Sequence, residues 1–108
     1  MSQSNPEIST AFSLSSATKY VLANRDVRLD LEVTSVQDRG GNYIKLKGLP
    51  ENHIRLIEAH LVLVGVQGAF RKHSEKFGQE VIAVPVIGDS FAKIQKVQGI
   101  LREGLDLK

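Results

Sequence analysis

The sequence predicts an α+β, mostly β, domain: a small antiparallel sheet or partly open β-barrel with a C-terminal helix packed on it. Three observations carry that expectation. Residues 27–48 alternate apolar and polar side chains with period two, break at a glycine pair, and alternate again. Residues 81–87 form a short run that is apolar on both sides, as in a strand covered on two faces. From Phe91 onward the apolar residues switch to helical spacing. The expected order is strand, strand, short helix or turn, strand, strand, helix.

Residues 1–12 begin with a polar stretch holding Pro6, and they are expected to form a disordered tail. Residues 13–108 are expected to form one small globular domain. Residues 13–23 read either as a short helix capped by Ser15 or Ser16, or as an extended approach to the first strand. In that strand Val27, Leu29, Leu31 and Val33 point one way, and Arg28, Asp30, Glu32 and Thr34 the other. After the glycines, Ile44 and Leu46 oppose Tyr43, Lys45 and Lys47. A two-residue turn at Gly40-Gly41 sets Arg39 opposite Asn42, Gln37 opposite Ile44 and Ser35 opposite Leu46. Ile44 and Leu46 then share a face with Leu31 and Val33, so pattern and turn chemistry agree. Val36 alone breaks the alternation.

Gly48-Leu49-Pro50 ends the hairpin, and the next segment reads two ways. Ile54, Ile57, Leu61 and Val64 have helical spacing, and Pro50 suits a helix start. Val62, Val64 and Val66 alternate and are β-branched, while Gly65 and Gly68 are poor inside a helix. The favoured expectation is a short helix or turn over 51–55 and a strand over 58–70. Residues 71–78 are polar and charged, a loop. Residues 81–87 are the fourth strand, in which Pro85 lacks a ladder donor and implies an edge or a bulge. Asp89 or Ser90 caps the last helix. Its apolar stripe is Phe91, Ile94, Val97, Ile100 and Leu101, its wet side Lys93, Gln95, Lys96, Arg102 and Glu103, and Gly104 ends it.

Composition narrows the function classes. The 108 residues contain no cysteine, which removes disulfides, thiolate metal sites and a cysteine nucleophile. The N-terminus has neither the basic start nor the apolar core of a secretory signal. The longest apolar run, 61–66, is far short of a membrane span. A cytoplasmic protein without a membrane partner is expected. The net charge of +2 is too small to argue for a partner, so only local clustering of cations can.

Four motifs invite chemistry. Gly88-Asp89-Ser90 after an apolar strand resembles the first block of the GDS-type (SGNH) hydrolases, in which the serine attacks an ester. That family's acid and histidine lie far downstream. Here 18 residues follow Ser90, and none is a histidine. The three residues read instead as a helix start. His53, His60 and His73 have no metal-ligand spacing, so no metal site is expected. Arg39-Gly40-Gly41-Asn42 lacks the spacing and lysine of a phosphate loop and reads as a hairpin turn. Asp30 and Glu32 share a strand face about 7 Å apart, but alternate with Arg28 on a solvated surface. No catalytic residue and no cofactor are expected.

The fourth feature is basic and aromatic. Residues 70–77 hold Phe70, Arg71, Lys72, His73, Lys76 and Phe77. Tyr43, Lys45 and Lys47 add a ring and two cations on one strand face. Small barrels bind single strands by stacking rings on bases while cations follow phosphates. The competing reading is a charged loop tip with Phe70 and Phe77 packed beneath it. The element order is similar to that of oligonucleotide-binding and PilZ-type barrels. The Asp/Asn-x-Ser-x-x-Gly motif of the PilZ family is missing, so neither that family nor its cyclic dinucleotide is assigned. The expected function is a non-catalytic binding or accessory module. Its expected ligand is single-stranded nucleic acid, contacted by Tyr43, Lys45, Lys47, Arg71, Lys72 and Lys76. The alternative is a structural or assembly subunit acting through protein contacts, with a protein partner or as a homo-oligomer. A small hydrolase using Ser90 is the weaker alternative.

Overall fold

The computed structural model describes residues 12–36 and 41–104. Its elements run α1 (Leu14–Ala23), β1 (Glu32–Val36), β2 (Gly41–Lys45), α2 (Glu51–Leu63), β3 (Phe70–Ser74), β4 (Gln79–Pro85) and α3 (Ser90–Glu103). The α+β class holds: three helices accompany one four-stranded antiparallel sheet of order β1-β2-β4-β3. Of the two expected forms, the sheet is the one observed, since β1 and β3 are edges and no closure into a barrel occurs among the described residues. The expected disordered tail, Phe12 apart, lies outside the described residues.

The ambiguous segment before the hairpin is a helix. Its cap is Ser13, not Ser15 or Ser16: the Ser13 hydroxyl accepts from the Ser16 N–H at 3.0 Å, and the Ser16 hydroxyl accepts from the Ser13 N–H at 3.0 Å. This reciprocal pair satisfies two donors that would otherwise be stranded at the helix start.

The hairpin is correct in its faces and shifted in its register. Ser35 pairs with Asn42 and Val33 with Ile44, four positions from the expected pairing. Because four is even, every side chain keeps its face. The proposed turn residue Gly40 lies outside the described residues. The first strand is also shorter than expected. Residues 27–31 precede the strand and bond to α3 instead of β2: the Leu29 N–H donates to the Leu101 carbonyl at 2.9 Å, and Gln98 Nε2 donates to the Leu31 carbonyl at 3.0 Å.

The 51–70 segment overturns the favoured reading. It is helix through Leu63, and residues 58–63 are not strand. The glycine counted against a helix is the residue that stops it. Gly65 adopts φ 87°, its N–H donates to the Val62 carbonyl at 3.1 Å, and the Val66 N–H donates to the Leu61 carbonyl at 2.9 Å. This paired closure is the Schellman motif, with Val66 buried near Leu61 as its apolar contact. The expected loop 71–78 is likewise corrected to strand β3 followed by a turn at 75–78. Pro85 marks neither an edge nor a bulge; it is the last residue of β4, a central strand, where no further ladder bond is required.

The helices cover one face of the sheet. Ala17 and Val21 of α1, Leu56, Ile57, Ala59 and Leu61 of α2, and Ile94, Val97 and Leu101 of α3 join Ile44, Ile82 and Val84 in one core. Phe91, placed in the buried stripe by its spacing, is 43% exposed. His60 is buried on α2, and burial lowers its pKa below the ordinary histidine value. The unfolded chain therefore takes up a proton near pH 6.5 that the folded chain resists. Stability is fully present above that pH and falls as pH drops below it, with a slope of at most ~1.4 kcal/mol per pH unit. Urea melts at pH 7.5 and pH 5 should show this loss, and His60→Leu should remove its share. Equal pH dependence in the variant would contradict it.

Candidate functional site

Strand alternation divides the sheet into two faces. On the face away from the core, one cross-strand row reads Thr34, Tyr43, Ala83, Phe70 and the next Glu32, Lys45, Val81, Lys72. Val81 and Ala83 are buried yet stand outside the core, as expected of residues on the opposite side from the helices. Tyr43 and Phe70 flank Ala83, and Lys45 and Lys72 flank Val81, on the neighbouring strands. Phe70 is 50% exposed, and Lys72 is exposed.

A third ring reaches this face from the β3–β4 turn. The turn is shaped by Gly78 at φ 65° and by the Phe77 N–H, which donates to Ser74 Oγ at 3.2 Å. The Phe77 ring then lies 5.6 Å from the Tyr43 ring, tilted by 60°, and Lys45 Nζ stands 5.1 Å from its centroid. The arrangement joins the two basic and aromatic clusters that are separate in sequence. Lys45 Nζ also lies 3.8 Å from the Glu32 carboxylate. Lys47 sits in the turn after β2 and Lys76 in the turn after β3, both exposed. Lys47, Lys72 and Lys76 form no ion pair among the described residues.

Arg71 does not belong to this group. It points to the helix face of β3. Its Nε and Nη2 donate to Glu58 at 2.8 and 3.0 Å, and its Nη1 and Nη2 donate to Glu51 at 2.9 and 2.6 Å. The Glu58 and Glu51 carboxylates raise the Arg71 pKa further, and the Arg71 hydrogen bond holds Glu51 below its ordinary value. A guanidinium shared by two carboxylates fastens β3 to α2 and has no fork left for a phosphate.

The chain matches no protein-family model, no curated protein and no solved structure.

The remaining candidates are scattered. His53 and His60 are on α2, whereas His73 is on β3 with Nδ1 3.0 Å from a Glu80 carboxylate oxygen. Ser90 is buried at the start of α3, and its Oγ accepts from the Ile87 N–H at 3.4 Å. Asp89 is the cap residue by position only. Its carboxylate pairs with Lys93 at 3.4 Å and makes no bond to the helix backbone. A cavity of about 230 Å³ lies beneath the sheet, lined by Phe12, Leu61, Val62, Val66 and Ile82. Glu58 also lines it, its carboxylate already held by Arg71.

No helix among the described residues is long and apolar enough to cross a membrane. Sequence reasoning assigned no role in the site to Gly41, Glu51 or Glu58. Reading 70–74 as strand would have separated Phe70 and Lys72 from Arg71 by parity alone.

Proposed function

We propose that the protein is a non-catalytic module that binds single-stranded nucleic acid on the open face of its sheet. The observation that supports this reading is the alignment of Tyr43 with Phe70 in one cross-strand row and of Lys45 with Lys72 in the next. Rings on such a surface accept the faces of unpaired bases, and the cations beside them follow the phosphates. A duplex hides its base faces and offers this surface only its backbone. Glu32, near Lys45, is exposed and would give way to a phosphate.

Fluorescence anisotropy with a labelled ten-nucleotide oligothymidylate tests the proposal. Binding is expected at low salt, weakening with a log–log slope of about −1.4 for the phosphate contacts of Lys45 and Lys72 at ~0.7 each. Replacing Lys45 and Lys72 together with alanine should weaken it at least ~10-fold while barely moving the melting temperature. No binding at low salt, or affinity indifferent to both lysines, would rule the proposal out.

A separate observation favours a second reading, an assembly subunit. Val86, Ile87 and Phe91 are 54%, 68% and 43% exposed around the β4–α3 junction. Grouped exposed apolar side chains mark protein contacts. A strictly monomeric sedimentation mass at high protein concentration would count against self-assembly through them.

A further inference from the structure

The open face contains a glycine whose absence of a side chain has a specific use. Gly41 is not among the glycines with positive φ, so its backbone conformation does not require glycine. What requires it is Tyr43. A Cβ at position 41 would lie 2.6 Å from the Tyr43 hydroxyl oxygen, 2.9 Å from Cζ and 3.0 Å from Cε2. Residues 41 and 43 share a face about 6.6 Å apart along the strand, within reach of a tyrosine lying along it. The hydroxyl end of the Tyr43 ring therefore lies over Gly41, and the Phe77 ring stands beside it at 5.6 Å between centroids.

We infer that Gly41 is a positioning residue of the nucleic-acid surface: it lets the Tyr43 ring lie flat on the strand, with its free face presented to a base. The inference rests on the single-strand reading and deepens it. A ring standing upright from the sheet offers an edge; a ring lying flat offers the face on which a base stacks. Gly41→Ala would push aside the far end of a flexible side chain and replaces no lysine. The added methyl thus acts on binding through Tyr43 alone.

The test uses the chain's own fluorophores. There are two tyrosines and no tryptophan, so Tyr20→Phe leaves Tyr43 as the single emitter. In that background an oligothymidylate should quench Tyr43 emission as it binds. Gly41→Ala should lose most of the quench and bind about 10-fold more weakly, with the salt slope of the lysines retained. In a Tyr43→Ser background, assayed by anisotropy, Gly41→Ala should change nothing, since the residue it acts through is gone.

An equal loss in both backgrounds would overturn the inference, as would parental binding and quench in Gly41→Ala. The ligand-free protein gives an independent readout: the Gly41 Hα resonances should be shifted upfield by the Tyr43 ring and return to ordinary positions in Tyr43→Leu. Unshifted Hα resonances would refute the positioning itself. Shifted resonances without oligonucleotide binding would refute the nucleic-acid reading and leave the ring geometry standing.

Discussion

Replacing Arg71 with methionine is expected to cost about 3 kcal/mol of stability. It should leave the affinity of the folded protein for oligonucleotides unchanged. The Glu58 side chain is only 6% exposed, and Arg71 supplies two hydrogen bonds to its carboxylate. Without them the Glu58 carboxylate is left without its hydrogen-bond donors in a poorly solvated site, which is unfavourable. Methionine keeps the packing of the aliphatic stem, so the loss reports the charge. Glu51 is 63% exposed on its side chain, and its share is small. A fall in melting temperature of more than about 10 °C should be visible by circular dichroism. Adding Glu58→Leu to Arg71→Met should recover most of the loss, because a buried pair replaced by apolar groups is often neutral. If Arg71→Met melted like the parent but lost binding, Arg71 would belong to the ligand surface after all.

The second large effect separates two residues that solvent accessibility cannot. Val81 and Ile82 are both essentially inaccessible and adjacent in β4. Ile82→Ala should cost about 3–4 kcal/mol. It removes three carbons beneath the helix layer and enlarges the cavity already bordered by Ile82. Val81→Ala should cost about 1.5 kcal/mol, near the transfer value of the two carbons removed. Val81 sits between Lys45 and Lys72 on the open face, where flexible side chains can close over the gap. Urea melts of the two variants provide the comparison. Equal losses would mean that both faces are covered by fixed structure.

The same division of faces explains what was legible in the sequence. The alternation through Leu31, Val33, Ile44 and Leu46 states which side is buried, because a strand's period is two. It does not state the register, because a slip of four residues preserves every face. The α3 stripe at Ile94, Val97 and Leu101 was equally readable from its spacing. The α2 segment was misread for a local reason. Val62, Val64 and Val66 straddle a helix end, and their alternation spans the last turn, the cap and the residue after Gly65. Alternation across a boundary has the same appearance as alternation along a strand. That error carried into the site: with β3 taken for a loop, Arg71 and Lys72 seemed equivalent, whereas they project to opposite faces. The pairing of Lys45 and Lys72 across Val81 depends on β2 meeting β4, a long-range contact that no local pattern encodes.

The position of β3 at the margin of the sheet has a further consequence. One side of its backbone is bonded to β4, and among the described residues no strand pairs with the other, so this margin is where a strand from a neighbouring molecule would add. If two copies met there in antiparallel fashion about Lys72, the two Lys72 ammonium groups would stand opposite each other. Facing cations oppose such an alignment. The Phe70–Ser74 strand therefore discourages the endless ribbon that an unguarded sheet margin invites.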